Sequence, residues 1–289
     1  GQLPLMIDPA LAAALFIGAS MLLSLAVVPV TLSSRLAPAL PESAFISPRA
    51  LYRLSPSGVV GALASGLAQG AFFGLGTFFA QRAGLTASEA AYFILAGVLG
   101  GLAGQLPLGR LSDYVDRRKV IAVSYLATAI AALAIVYTSD FGLFALLGLT
   151  VIMGASLFSL YALCLAHLND YVHSGAMVGV SQSLLITFSV GAVLGPILAS
   201  SVIGVAGSSG LFFFISAVCV LTSAFVFWRM SKRDALPWKD KLDYVAFPNT
   251  TPALSEMHPA AQREPDHKID PQGGAATGPE PDTRSGPSA

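Results

Sequence analysis

Long stretches of this chain carry no charged side chain, and their lengths set the architecture. Residues 9–34, 54–81, 90–109, 120–139 and 141–166 lack Asp, Glu, Lys, Arg and His, and 174–228 forms a sixth such stretch. A helix rises about 1.5 Å per residue, so about 20 apolar residues cross the ~30 Å hydrocarbon core of a bilayer. Each of the first five stretches therefore holds one span. The last is long enough for two, with a turn where glycine and serine cluster at Gly204-Val205-Ala206-Gly207-Ser208-Ser209-Gly210. The pattern predicts an all-α integral membrane protein with seven transmembrane helices, near 9–31, 57–81, 88–108, 119–138, 141–166, 176–203 and 210–230. The first apolar run is long enough to span, so no cleavable secretory leader is expected.

Two segments fall outside this pattern. Residues 32–56 form a loop with Pro38, Pro41, Pro48 and Pro56 beside Arg35, Arg49 and Arg53. Residues 231–289 hold half of the chain's 18 prolines, with mixed charge and no apolar periodicity. Such a tail buries too little surface to offset its ordering entropy and is expected to be disordered. The segment Trp238–Phe247 within it is a candidate interfacial stretch.

Composition agrees with the pattern. Of 289 residues, 54% are apolar and 11% charged, against roughly 25% charged in soluble domains. Mean hydropathy is +0.70. Too few charged groups exist to cover a soluble globule, which excludes an ordinary soluble enzyme and a disulfide-stapled secreted domain. Sixteen basic and sixteen acidic residues leave no net charge, so no nucleic-acid partner is indicated. Cys164 and Cys219 sit in apolar runs, where they read as small packing residues rather than metal ligands. No cofactor is implied, and the lipid bilayer is the expected surrounding.

Orientation follows from the basic residues. With seven spans, one side receives Arg35, Arg49, Arg53, Arg110, Arg117, Arg118 and Lys119, together with Arg229, Lys232, Arg233, Lys239 and Lys241. The other side receives only Arg82. The basic side is expected to be cytoplasmic, with the C-terminus inside and Gly1 outside.

The most informative loop joins the third and fourth spans: Gly109-Arg110-Leu111-Ser112-Asp113-Tyr114-Val115-Asp116-Arg117-Arg118-Lys119. The glycine is expected to end one helix. Asp113 and Asp116 would lie before or at the start of the next, where a carboxylate meets the positive end of the helix dipole. Arg117 and Arg118 are close enough to pair with an acid here or on a neighbouring helix. This loop resembles the cytoplasmic signature of the major facilitator superfamily: a glycine, three residues, an acid, then a second glycine and two or three basic residues. Gly109, Asp113, Arg117 and Arg118 match it. Tyr114 stands where a basic residue is usual, and Asp116 where the second glycine is usual.

Two further segments carry the resemblance. Gly191-Ala192-Val193-Leu194-Gly195-Pro196 is similar to the glycine-proline helix of the superfamily, found in helix 5 and its counterpart, helix 11. Tyr161-Ala162-Leu163-Cys164-Leu165-Ala166-His167-Leu168-Asn169-Asp170 resembles the YcaD-like branch. The resemblance implies that residues 1–31 are the end of helix 5 and helix 6, that 32–56 is the cytoplasmic loop between halves, and that 57–230 is the C-terminal six-helix bundle of a twelve-helix transporter. Residues 231–289 would be its cytoplasmic tail, and helices 1–5 would be missing partners. The implied activity is secondary-active or facilitative movement of a small-molecule solute by alternating access, without enzymatic chemistry, in the plasma membrane of a bacterium (the inner membrane). The signature loop would act as a latch on the outward-open state.

Physical readings stand beside it. Glycines recur at four-residue spacing: Gly66, Gly70 and Gly74; Gly97 and Gly101; Gly100 and Gly104; Gly191 and Gly195. In lipid, such small-residue seams let helix backbones approach. Pro196 removes a backbone bond and would kink its helix. No ionisable group lies at mid-depth, so candidate cavity-lining residues are polar or aromatic: Gln69, Phe73, Thr77, Ser156 and Tyr161. Any proton-binding site would then lie in the missing half, or transport is uncoupled. His167 and Asp170, three residues apart near a helix end, could pair as a cytoplasmic gate.

The competing reading is a self-contained seven-helix receptor with its N-terminus outside. It gives the Gly109–Arg118 pattern no role, and a retinal protein of that kind would need a lysine deep in a helix, whereas Lys119 is the only lysine before the tail. The topology has a direct test. Cysteines placed at Ser139 and Ser208 should label from outside intact cells, and those at Ser47 and Ser231 only from inside; labelling of Ser231→Cys from outside would reverse the assignment.

Overall fold

The computed structural model of the protein describes residues 17, 18, 20–28, 46–138, 142–172 and 176–232. The chain divides into two compact units, Gly1–Glu42 and Ser43–Ala289. In the first, the described residues between 17 and 28 are helical, with exposed apolar side chains such as Met21, Leu22 and Leu23. They fall inside the span expected at 9–31. The rest of that span, most of the 32–56 loop and the tail beyond Lys232 lie outside the described residues.

Every regular element among the described residues of the second unit is a helix. Its elements are α1 (Pro48–Leu54), α2 (Pro56–Arg82), α3 (Ala87–Tyr114), α4 (Arg117–Thr138), α5 (Leu143–Leu157), α6 (Leu160–Asn169), α7 (Met177–Ala206) and α8 (Gly210–Met230). With α5 and α6 taken as one broken span, six helices among the described residues are long and apolar enough to cross a membrane. All six coincide with expected spans.

Local chemistry sets several boundaries. Ser47 caps α1, with Pro48 opening the helix, and Ser55 then serves as the C-cap of α1 and the N-cap of α2. Each hydroxyl accepts from a first-turn amide that has no partner within the helix. Short helix α1 thus forms inside the segment expected as loop. Thr86 and Glu89 exchange side-chain-to-backbone bonds in a capping box that starts α3. Gly207, at φ +70, makes the expected turn between the last two helices.

Two helix limits differ from expectation. Gly109 does not end the third span, because α3 runs on to Tyr114. A gap in charge marks only the part of a helix that lies in hydrocarbon, and polar residues extend it into the interface. The backbone turns at Val115, in extended conformation. The span expected at 141–166 is interrupted at Phe158–Ser159, where α5 gives way to α6.

The bundle is held by three close pairings, α2 with α7, α3 with α5 and α4 with α8, while α2 and α4 also reach α6 and link them. The first two pairings are glycine seams. A Cβ at Gly66 would collide with the carbonyl oxygen of Phe188, one at Gly191 with that of Leu63, and one at Gly195 with that of Leu67. A Cβ at Gly100, Gly104 or Gly154 would likewise strike the carbonyl of Val151, Ala155 or Gly97. Gly70 has a more particular partner. Pro196 has no N–H to offer the carbonyl of Ala192, and that oxygen faces the Cα of Gly70. Pairing by backbone proximity is what lipid favours, since apolar side chains gain little from leaving an apolar solvent.

Polar side chains add cross-links between helices. Tyr125 donates its hydroxyl to the Gly61 carbonyl, Thr128 bonds Ser156 at 2.8 Å, and Ser223 donates to the Ala122 carbonyl at 2.8 Å. Cys164 and Cys219 are buried free thiols. Gly70→Ala should therefore lower stability by about 1–3 kcal/mol, the cost of overpacking. Gly148→Ala, where a methyl meets open space, should not. Thermal midpoints of the purified variants test this; equal midpoints would show that the seam tolerates a side chain.

Candidate functional site

The polar residues that matter most gather at the end of the bundle where α3 turns into α4. Asp113 lies in the last turn of α3 and Arg117 is the first residue of α4. Asp113 is thus not at the positive end of the following helix but at the negative end of its own, an unfavourable place for a carboxylate. Arg117 has the opposite fault, a cation at a helix N-terminus. Each offsets the other: Nη2 of Arg117 donates to Oδ1 of Asp113 at 2.8 Å.

The same guanidinium reaches across to α6. Nη1 donates to Oδ1 of Asp170 at 2.9 Å and to the carbonyl oxygen of Ala166 at 2.8 Å. It therefore adds a second donor at the C-terminus of α6, where the Ala166 carbonyl also accepts the Asp170 N–H at 3.2 Å. Arg117 is 1% exposed, Asp170 3% and Asp113 24%. One buried cation thus ties two helix ends through two carboxylates and a carbonyl. Gly109 is buried one turn before Asp113, and its carbonyl accepts from Ser112 at 2.6 Å.

Arg118 takes a different direction. Its Nη2 lies 3.3 Å from Oδ2 of Asp116, whose Oδ1 also accepts the Arg118 backbone N–H at 3.0 Å. Asp116 therefore caps α4. His167 is buried with its ring edge-on to Tyr171, centroids 5.2 Å apart. The expected His167–Asp170 gate is thus joined to the signature loop through Asp170 and Arg117. Sequence reasoning missed this link, and also the Ala166 carbonyl.

The cavity candidates separate into two groups. Phe73 and Thr77 are exposed on α2. Gln69, one turn earlier, is buried, and its Nε2 donates to the Leu157 carbonyl at 3.2 Å. It thereby serves the last residue of α5, at the break before α6. Phe73 packs against Phe158 at the same break, with tilted rings and centroids 5.3 Å apart. Ser156 turns toward Thr128 on α4, and Tyr161 packs on Phe188. Gln69, Ser156 and Tyr161 are therefore inside the bundle rather than on its open face. Gly191, Gly195 and Pro196 lie on the side of α7 that meets α2.

Among the described residues, no group of three or more His, Cys, Asp or Glu side chains is placed to hold a metal.

The family profile of the Major Facilitator Superfamily matches residues 6–184 and 58–255. Curated relatives include the uncharacterized MFS-type transporter YcaD of Salmonella newport (strain SL254) and that of Salmonella heidelberg (strain SL476). Each is 27% identical over 194 residues, covering 67% of this chain and 48% of the relative. The chain spans about half the length of the curated relatives it matches. Nothing in these matches supports the receptor alternative.

The cap gives the site a measurable part. Asp116→Ala should cost about 0.5–2 kcal/mol of stability, the usual value of an N-cap carboxylate. Thermal unfolding of the variant should show it; an unchanged midpoint would mean that the Asp116 contacts add nothing.

Proposed function

The chain belongs to the major facilitator superfamily, a family of multi-pass membrane transporters, and from that premise we propose that it moves a small solute by alternating access. Family membership points to transport rather than catalysis. In this reading residues 57–230 are the C-terminal six-helix bundle, residues 1–31 bring the end of helix 5 and helix 6, and 32–56 is the cytoplasmic loop between halves. Five further helices complete a twelve-helix transporter. The basic end of the bundle faces the cytoplasm of a bacterium, with the tail 231–289 on that side. Phe73 and Thr77, exposed on α2, face the solute path.

The observation that carries the mechanism is the buried bridge from Asp113 through Arg117 to Asp170. Alternating access needs an element with two arrangements and a contact that favours one of them. A guanidinium shared between two carboxylates and a helix end is such a contact. It fixes the α3–α4 turn against α6 in one state and releases it in the other. Gly109, Asp113, Arg117 and Asp170 form this latch, and Asp116 and Arg118 shape the start of α4 beside it. The glycine seams supply smooth surfaces along which the helices can shift.

A contact of this kind biases a two-state equilibrium by about 1–3 kcal/mol, or roughly 5- to 150-fold. Asp113→Ala in the full-length transporter should insert normally and shift the cavity toward inward opening. Side-specific labelling of cavity cysteines reads that shift. Unchanged labelling, with unchanged uptake of an identified solute, would reduce the loop to a topology signal.

A further inference from the structure

The span made of α5 and α6 is 27 residues long and breaks near its middle, at Phe158–Ser159. A break at that depth frees backbone groups that only protein can satisfy. Two side chains do so. The Ser159 hydroxyl donates to the Ala155 carbonyl at 2.8 Å, and Nε2 of Gln69 on α2 donates to the Leu157 carbonyl at 3.2 Å. Side chains that enter a helix's own ladder are a recognised cause of sharp bends. Phe158 itself is set between Gly101 of α3 and the rings of Phe72 and Phe73.

The two pieces are held differently. α5 lies along α3 in a glycine seam, with the carbonyls of Val151 and Ala155 against Gly100 and Gly104, and Ser156 bonds Thr128 on α4. α6 runs antiparallel to the first turns of α2, where side chains rest on glycines: Leu168 over Gly58 and Cys164 over Gly61. Such contacts are smooth and set no register. Polar ties sit at the two ends instead. Gln69 holds the break, and Arg117 holds the Ala166 carbonyl and Asp170 at the other end.

We propose that α6 turns as a unit about Phe158–Ser159, and that Gln69 is the positioning residue that keeps the break in the form that brings Asp170 to Arg117. The inference rests on the reading of Asp113, Arg117 and Asp170 as a latch. A helix of this length is a lever of about 15 Å, so a turn of about 10° moves its far end by roughly 2–3 Å. That is enough to part a hydrogen bond. Phe73, 50% exposed on α2, touches Phe158 at the pivot. A solute resting on Phe73 therefore acts on the hinge and, through α6, on the latch.

The chain carries its own reporters. Cys164 lies on α6 and Cys219 on α8, and both are fully buried free thiols. In the full chain in neutral detergent, alkylation by N-ethylmaleimide, followed thiol by thiol by peptide mass spectrometry, reads how often each is uncovered. Gln69→Met keeps the side-chain volume and removes the donor. It should speed alkylation of Cys164 roughly three- to tenfold, the worth of one hydrogen bond between helices in a membrane, and leave Cys219 unchanged. Gln69→Asn, one methylene shorter, should do the same and serves if the first variant does not fold. Thr150→Val, which removes a buried donor within α5 away from the break, should alter neither rate. Asp170→Asn loosens the far end and should also speed Cys164 alone. An unchanged Cys164 rate in the Gln69 variants, or Cys164 and Cys219 rising together, overturns the hinge. A Cys164 rate that answers to Gln69 but not to Asp170→Asn overturns it too, since α6 would then not move as a unit. Cavity labelling of Asp113→Ala does not involve Gln69, so it decides the latch separately.

Discussion

Arg117 carries its charge at the wrong end of its own helix, and the arrangement around it follows from that. A cation at a helix N-terminus is repelled by the dipole, and a buried one loses its hydration as well. Both penalties must be met by neighbours. Asp113 at the end of α3 and Asp170 at the end of α6 are placed where carboxylates are themselves disfavoured. Each group is unfavourable alone and acceptable only in company. The ends of three helices are therefore joined by a contact that loses its meaning if any member leaves. Such interdependence makes a poor general adhesive but a good two-state element, because partial rupture leaves a buried charge without its partner.

The rest of the bundle is built on the opposite principle. Along the α2–α7 and α3–α5 seams, backbones touch with almost no side chain between them. Dispersion along such a seam changes gradually as one helix moves past the other, and no single contact dominates. The contrast assigns labour within the fold: smooth contacts run the length of the bundle, and a discrete ionic one sits at its basic end. The interruption at Phe158–Ser159 belongs to the discrete class too. There the carbonyl of Leu157 is met by Gln69 from another helix. A residue expected to meet solute instead maintains the shape of the helix across from it.

Much of this was legible in the chain. Gaps between charges located six of the spans, because hydrocarbon excludes charge over a length that helix geometry fixes. The glycine spacing foretold the seams, since only residues without a Cβ allow such an approach. Helix ends were less legible. Gly109 looked like a terminus because Arg110 follows it, yet α3 continues to Tyr114. The apolar pattern reports the bilayer's boundary rather than the helix's own. Least legible was the bridge, because Arg117 and Asp170 lie 53 positions apart and no local periodicity links them. The sequence allowed an acid in the loop itself or on a neighbouring helix, without saying which. Asp170 instead suggested a partner in His167, its neighbour three residues back, and the tertiary fold supplied the stronger one.

The central claim is that Arg117 and Asp170 act as one unit, and a double-mutant cycle tests it most directly. Stability of the wild-type chain, Arg117→Met, Asp170→Asn and the double variant should be measured by thermal or denaturant unfolding. Arg117→Met should be the most damaging single change, at about 3–5 kcal/mol, since it leaves a buried carboxylate unpaired. The double variant should be better than the sum of the two, with a coupling of about 1–3 kcal/mol. Additive effects, with a coupling below about 0.5 kcal/mol, would mean that the two charges are neighbours without being partners, and would contradict the account.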